Sequence, residues 1–167
     1  MQILVTVASK HGATGAIGEI VASVLRSAGH EVTTVAPDTV ETIEPYDAVI
    51  LGSAVYAGRW MESARRFSER HHATLQTVPV WLFSSGPIGT PPAPTEESPD
   101  ALRLARELSA RDHRTFAGRI DPAALSWVER TITRMVKAPD GDFRDWDAIR
   151  SWADDIAAAL TTEEVPA

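Results

Sequence analysis

The 167-residue sequence contains no cysteine. That absence excludes disulfides, thiol redox chemistry, iron–sulfur clusters and thiolate zinc sites, so any redox function requires a bound cofactor. No run approaches the roughly 20 apolar residues of a membrane-spanning helix, and no basic segment followed by an apolar one precedes the first strand. The default expectation is therefore a cytoplasmic chain, touching a membrane at most peripherally. Basic charge is also short: 16 Lys and Arg stand against 23 Asp and Glu, and the net charge of −7 argues against general nucleic-acid binding. The five histidines show no metal-ligand spacing. Neither a G-x-G-x-x-G dinucleotide fingerprint, a G-x-x-x-x-G-K-[ST] loop nor a G-x-S-x-G elbow occurs; Gly12, Gly15 and Gly18 give G-x-x-G-x-x-G instead.

What is present is an ordinary globular balance, with 44% hydrophobic and 23% charged residues, in a chain long enough for one core. The expected layout is a single domain over 1–160 and a tail over 161–167. Ile3 to Val7 reads as a buried strand, and Ile17, Ile20, Val21, Val24 and Leu25 follow at helical spacing from about Thr14 until Gly29 stops them. Glu31 to Val35 alternates like a second strand, and a short helical turn is expected between Pro37 and Pro45. Ala48 to Leu51 is apolar throughout, as a central parallel strand should be. A helix with Met61, Ala64 and Phe67 on one face follows, then a fourth strand over Val78 to Phe83. Thr90 to Asp100 is rich in proline and acid and reads as loop, Ala101 to Arg111 as helix, and His113 to Gly118 as a fifth strand. Two helical patterns close the chain, one carrying Leu125, Trp127, Val128, Ile132, Met135 and Val136, the other over about 145–160.

Strands alternating with helices imply a doubly wound parallel sheet with helices on both faces. Three polar, glycine-bearing loops then gather at its carboxyl edge, where such sheets bind ligands. Ser9, Lys10, His11, Gly12, Ala13 and Thr14 form the first, a phosphate cradle of hydroxyls and backbone N–H groups ahead of a helix. The bland alternative is a turn in which Ser9 or Thr14 merely caps that helix. The second loop is Gly52-Ser53-Ala54-Val55-Tyr56-Ala57-Gly58-Arg59-Trp60, and the third is Ser84-Ser85-Gly86-Pro87-Ile88-Gly89. A flavin mononucleotide suits this set, because its phosphate needs donors only while its ring needs two further loops.

Ser9-x-His11-Gly12-x-Thr14 resembles the flavodoxin phosphate signature [ST]-x-T-G-x-T, with histidine at the central threonine. Across essentially the whole chain the order of loops is similar to the flavodoxin superfamily. Within it the menaquinone-dependent protoporphyrinogen oxidases are the branch most resembled, on Leu51 to Gly58, the basic helix Phe67 to His72, Phe116-Ala117-Gly118, the Trp127 to Lys137 helix and Asp145-Trp146. The resemblance implies a flavodoxin-like α/β fold with a five-stranded parallel sheet in the order 2-1-3-4-5. It also implies FMN, with Ser9 to Thr14 on the phosphate and Ser53 to Trp60 and Ser84 to Gly89 framing the ring.

The function expected on this basis is an FMN-dependent oxidoreductase passing reducing equivalents from an organic substrate, such as a porphyrinogen, to a quinone. Tyr56 and Trp60 are aromatic candidates for covering the flavin or, equally, for packing. Loop 84–100 has no aromatic, which would leave one ring face open to substrate. Arg59, Arg65, Arg66, Arg70, His71 and His72 form either a solvated face or a receptor for carboxylates, with Arg59 the candidate substrate anchor. Arg130, Arg134 and Lys137 could lean on an anionic membrane. No general acid or base stands out. The alternatives are a single-electron carrier that docks redox proteins, and a partner module that keeps the fold with weak or no FMN binding.

Overall fold

The computed structural model describes residues 1–86, 97–120 and 141–163. Its elements are β1 (Gln2–Ala8), α1 (Ala13–Ser27), β2 (Glu31–Val35), a 3-10 turn (Pro37–Thr39), β3 (Ala48–Tyr56), β4 (Arg59–Trp60), α2 (Glu62–Arg70), α3 (His72–Leu75), β5 (Val80–Ser85), α4 (Pro99–Glu107), β6 (Asp112–Phe116), β7 (Arg119–Ile120), β8 (Gly141–Asp142) and α5 (Trp146–Glu163). The principal sheet runs β2-β1-β3-β5-β6, with parallel pairing throughout that path. Its five long strands stand in the order 2-1-3-4-5 expected from the resemblance. β4 folds back antiparallel on β3, and β7 and β8 form a separate antiparallel pair.

Side-chain alternation along the strands divides the core in two. Ile3 and Val5 of β1, Ile50 of β3 and Phe83 of β5 meet α1 and α5 through Ile17, Val21, Leu25, Trp152 and Ile156. Leu4, Val49, Leu51 and Leu82 point the other way, toward Phe67 of α2 and Leu104 of α4. Glycine is required where elements touch: a Cβ on Gly18 would come within 2.6 Å of Val7, and one on Gly52 within 2.2 Å of the Phe83 ring.

Several boundaries differ from expectation, for physical reasons. The third strand does not stop at Leu51 but continues to Tyr56, and the fourth runs to Ser85 rather than Phe83. Ser53, Ala54, Ser84 and Ser85 are small or polar yet buried, and on the α2 side the Met61 N–H and the Trp60 indole N–H close over the Ser53 and Ser84 hydroxyls. Ser98 and Asp100, expected in a loop, belong to the start of α4: Ser98 Oγ donates to the Gly58 carbonyl at 2.9 Å, and Asp100 accepts the Trp60 N–H at 3.1 Å. That helix ends at Glu107, not Arg111, with Ser109 at φ 50°. The last helix runs past the end expected near 160: Thr161 and Thr162 continue α5 and bond back to the Ala157 and Ala158 carbonyls. The helix expected over 122–137 lies outside the described residues, as do Pro87, Ile88 and Gly89. Among the described residues no helix is long and apolar enough to cross a membrane.

Candidate functional site

β1, β3 and β5 lie side by side in parallel register, with Ala8 beside Ser53 and Ser53 beside Ser84. Their following segments therefore emerge together at one edge. The first carries Ser9 to Gly12 into α1, whose first internal hydrogen bond runs from Ala16 N–H to the Gly12 carbonyl at 2.9 Å. Gly12 is the N-cap, at φ 78° in the left-handed region that favours glycine. The N-cap Gly12 makes no side-chain cap bond, and no acidic residue occupies the first turn of α1. The capping alternative for Ser9 and Thr14 is thus not what the chain adopts. A helix start of this kind, preceded by hydroxyls and open space in front of Gly12, favours a bound anion. Thr14 is buried beneath the turn, Ser9 and His11 are half-buried, and Lys10 is exposed.

The second loop is a tight hairpin between β3 and β4. Ala57 and Gly58 both have positive φ, 50° and 76°, as a two-residue turn of the primed kind demands. Tyr56 is exposed by 44%, with Ala57 and Gly58 beside it at the tip. Trp60 is placed differently: it is 2% exposed, sits in the core with Phe67 and Leu82, and its Nε1–H donates to Ser84 Oγ at 2.8 Å. Packing, the bland alternative, is what its ring does. Ser53 is likewise turned inward, its hydroxyl accepting the Met61 N–H at 2.9 Å. Of the third loop Gly86 is described, at φ 104°, with its N–H on the Phe116 carbonyl at 3.1 Å. Among the described residues, the later loops bring the exposed Tyr56 side chain and the backbone of Ala57, Gly58 and Gly86 to this edge.

Behind them runs a polar chain that sequence reasoning left unassigned. Ser84 Oγ lies 3.0 Å from His113 Nε2, and His113 Nδ1 lies 3.5 Å from Glu97 Oε1. Trp60 Nε1 can only donate, so Ser84 can give its own proton to Nε2, which leaves the imidazole proton on Nδ1 facing Glu97. Burial pushes the His113 pKa down, against the pull of Glu97 and Asp112. Nothing in the one-dimensional pattern links Trp60, Ser84 and His113; only the sheet register does.

The basic helix is largely occupied within the fold. Arg66 pairs with Glu62 at 2.6 Å, and Arg70 donates to the Pro37 and Val40 carbonyls at 3.0 and 3.2 Å. His71 is buried against Phe67, and desolvation, helped by Arg70, lowers its pKa. Arg59, at the hairpin and 67% exposed, stands 3.6 Å from Asp100. It remains the cation of this set nearest the ligand edge. A residue not singled out from sequence also reaches the edge: Arg144, just after β8, donates to the Ala13 carbonyl at 3.1 Å. No cluster of three or more His, Asp or Glu able to hold a metal occurs among the described residues.

A doubly wound parallel sheet in this strand order, with a helix starting directly after its first strand, is a flavodoxin-like α/β fold. The family model for the flavodoxin domain matches residues 4–147, and the chain belongs to that family. No curated protein matches the sequence. Among solved structures, a flavodoxin from the domain Archaea superposes with a TM-score of 0.65 at 16% identity, covering 96% of this chain and 99% of that one. A flavodoxin from Streptococcus pneumoniae TIGR4 gives 0.64 at 18% identity, covering 95% and 99%. Rubredoxin oxygen:oxidoreductase from Desulfovibrio gigas gives 0.69 at 13% identity, covering 99% of this chain and 37% of that one. At these identities the likeness establishes the fold. It does not carry the narrower resemblance to the porphyrinogen oxidases.

Proposed function

We propose that this domain binds FMN at the carboxyl edge of its sheet and works as a flavodoxin-type oxidoreductase on an organic substrate, with a quinone as acceptor. The observation that carries the reading is the start of α1: no side-chain cap bond at the N-cap, no acid in the first turn, and Gly12 facing open space. The residues present fit the group. Backbone N–H groups of the Gly12 to Thr14 turn, with the Ser9 and Thr14 hydroxyls and the His11 imidazole, would hold the phosphate. The hairpin tip at Tyr56 to Gly58 and the backbone at Gly86 would hold the ring. When bound, FMN supplies the electron-transfer chemistry that a chain without cysteine lacks.

The chain's own part is to bind, orient and admit. The helix start attracts the phosphate, and the parallel register of β1, β3 and β5 fixes the loops that orient the ring. Arg59 is the side chain placed to receive a carboxylate on the substrate. A second reading, a carrier of electrons between proteins, is favoured by the near-complete overlap with single-domain flavodoxins.

Anaerobic mixing of the FMN-loaded protein with protoporphyrinogen and then a menaquinone analogue separates the two. The enzyme reading expects the yellow absorbance to bleach with the porphyrinogen and return with the quinone. No bleaching removes that substrate, and fast exchange with a flavodoxin reductase instead establishes the carrier.

A further inference from the structure

Arg144 is separated by 131 positions from Ala13, the first residue of α1, yet bonds to its carbonyl at 3.1 Å. Its side chain is only 7% exposed. Two of its donors grip the Asp142 carboxylate, Nε to Oδ1 at 2.7 Å and Nη2 to Oδ2 at 2.5 Å, and the guanidinium lies 4.3 Å from the centre of the Trp146 ring. This is the planar, forked arrangement that lysine cannot reproduce. The Arg144 hydrogen bonds hold the Asp142 carboxyl below its ordinary pKa.

The same short segment is tied to the other side of the site. Asp142 pairs with Arg119 in the β7–β8 ribbon, and the Phe143 N–H donates to the Gly118 carbonyl at 3.2 Å. Gly118 in turn packs on Gly86: a Cβ there would lie 3.4 Å from the Gly86 nitrogen. A path of hydrogen bonds and chain thus runs from the phosphate cradle at Ala13, through Arg144, Phe143 and Gly118, to the Phe116 carbonyl, which accepts the Gly86 N–H at 3.1 Å at the start of the loop after β5. Charge attraction is not its main effect. Arg144 faces a carbonyl rather than the N–H side of the turn, and Asp142 offsets its charge. An ion pair with one partner as exposed as Asp142 is in any case a weak source of net stability.

We propose that Arg144 is a positioning residue that sets the spacing between the phosphate cradle and the ring-binding loop, so that one FMN molecule satisfies both. The inference rests on the FMN reading above. FMN joins phosphate and ring covalently, and the gain from engaging both at once depends on their sites being correctly spaced. Riboflavin carries the ring without the phosphate and is indifferent to that spacing.

The test titrates full-length apoprotein with FMN and with riboflavin, followed by flavin fluorescence, for the wild type, Arg144→Gln and Arg144→Lys. Thermal unfolding is recorded alongside. Arg144→Gln is expected to weaken FMN about tenfold, the scale of a charged hydrogen bond, and to leave riboflavin unchanged. Arg144→Lys keeps the charge and the packing of the stem, and so secures a folded comparison, but lacks the fork and recovers only part of the loss. An unchanged ratio of the two affinities in both variants overturns the inference, as does an equal fall for both flavins, which would mark a purely structural role. Failure of the wild type to bind FMN removes the reading beneath it instead.

Discussion

The imidazole of His113 sits between the Ser84 hydroxyl and Glu97, and burial keeps it neutral. His71, packed against Phe67, is neutral for the same reason, with Arg70 adding repulsion. Both have folded-state pKa values below the ordinary histidine value of about 6.5, so the unfolded chain takes up protons first as the pH falls. Their contribution to stability is complete above that value and is lost as the pH drops through the folded values. Urea unfolding at about pH 7.5 and about pH 5 should show a lower midpoint at the acid value, and a His71→Gln, His113→Gln double variant should flatten the difference. An equal slope in wild type and variant would show that other groups are responsible. Trp60 teaches a related point about residue type. An aromatic near a ligand edge reads equally as cofactor contact or as core, and the decision came from the Ser84 hydroxyl across the sheet.

The elements were legible where periodicity was strong. β2 over Glu31–Val35 and the short turn at Pro37 match expectation, as does the order of the five long strands. The ends of β3 and β5 were not legible, because Ser53, Ser84 and Ser85 look like loop residues until their burial beside other elements is known. The β7–β8 ribbon has two residues per strand, too short for any alternation, and the hydrogen bond that ties its base to α1, from Arg144 to Ala13, spans 131 positions. The β3–β4 hairpin yields a prediction of its own. Ala57 at φ 50° sits in a region that costs an L-residue with a Cβ about 1–2 kcal/mol, whereas asparagine tolerates it. Ala57→Asn, which gives an Asn-Gly turn, should raise the melting temperature by about 2–4 °C. A drop would mean that the turn is not strained as its dihedral implies.

For the molecule as a whole, the fold and the location of the cradle follow from apolar runs, helix starts and glycine loops, which short windows of sequence carry. Substrate choice is different in kind. Of the cations that pattern alone offers as a carboxylate receptor, Arg66 pairs with Glu62 and Arg70 is held by the turn at Pro37, while Arg59 stands beside Asp100 at the hairpin. Which cations remain for a ligand is decided by contacts between distant segments. The central claim is that FMN is held between the Ser9–Thr14 cradle and the backbone of the two later loops. The most direct test is a titration of isotope-labelled protein with FMN, followed by amide ¹H–¹⁵N shifts. The largest changes are expected at Ser9 to Thr14, with further changes at Tyr56 to Gly58 and at Gly86. Saturating FMN that leaves the Ser9 to Thr14 amides unmoved, or moves residues away from this edge instead, would contradict it.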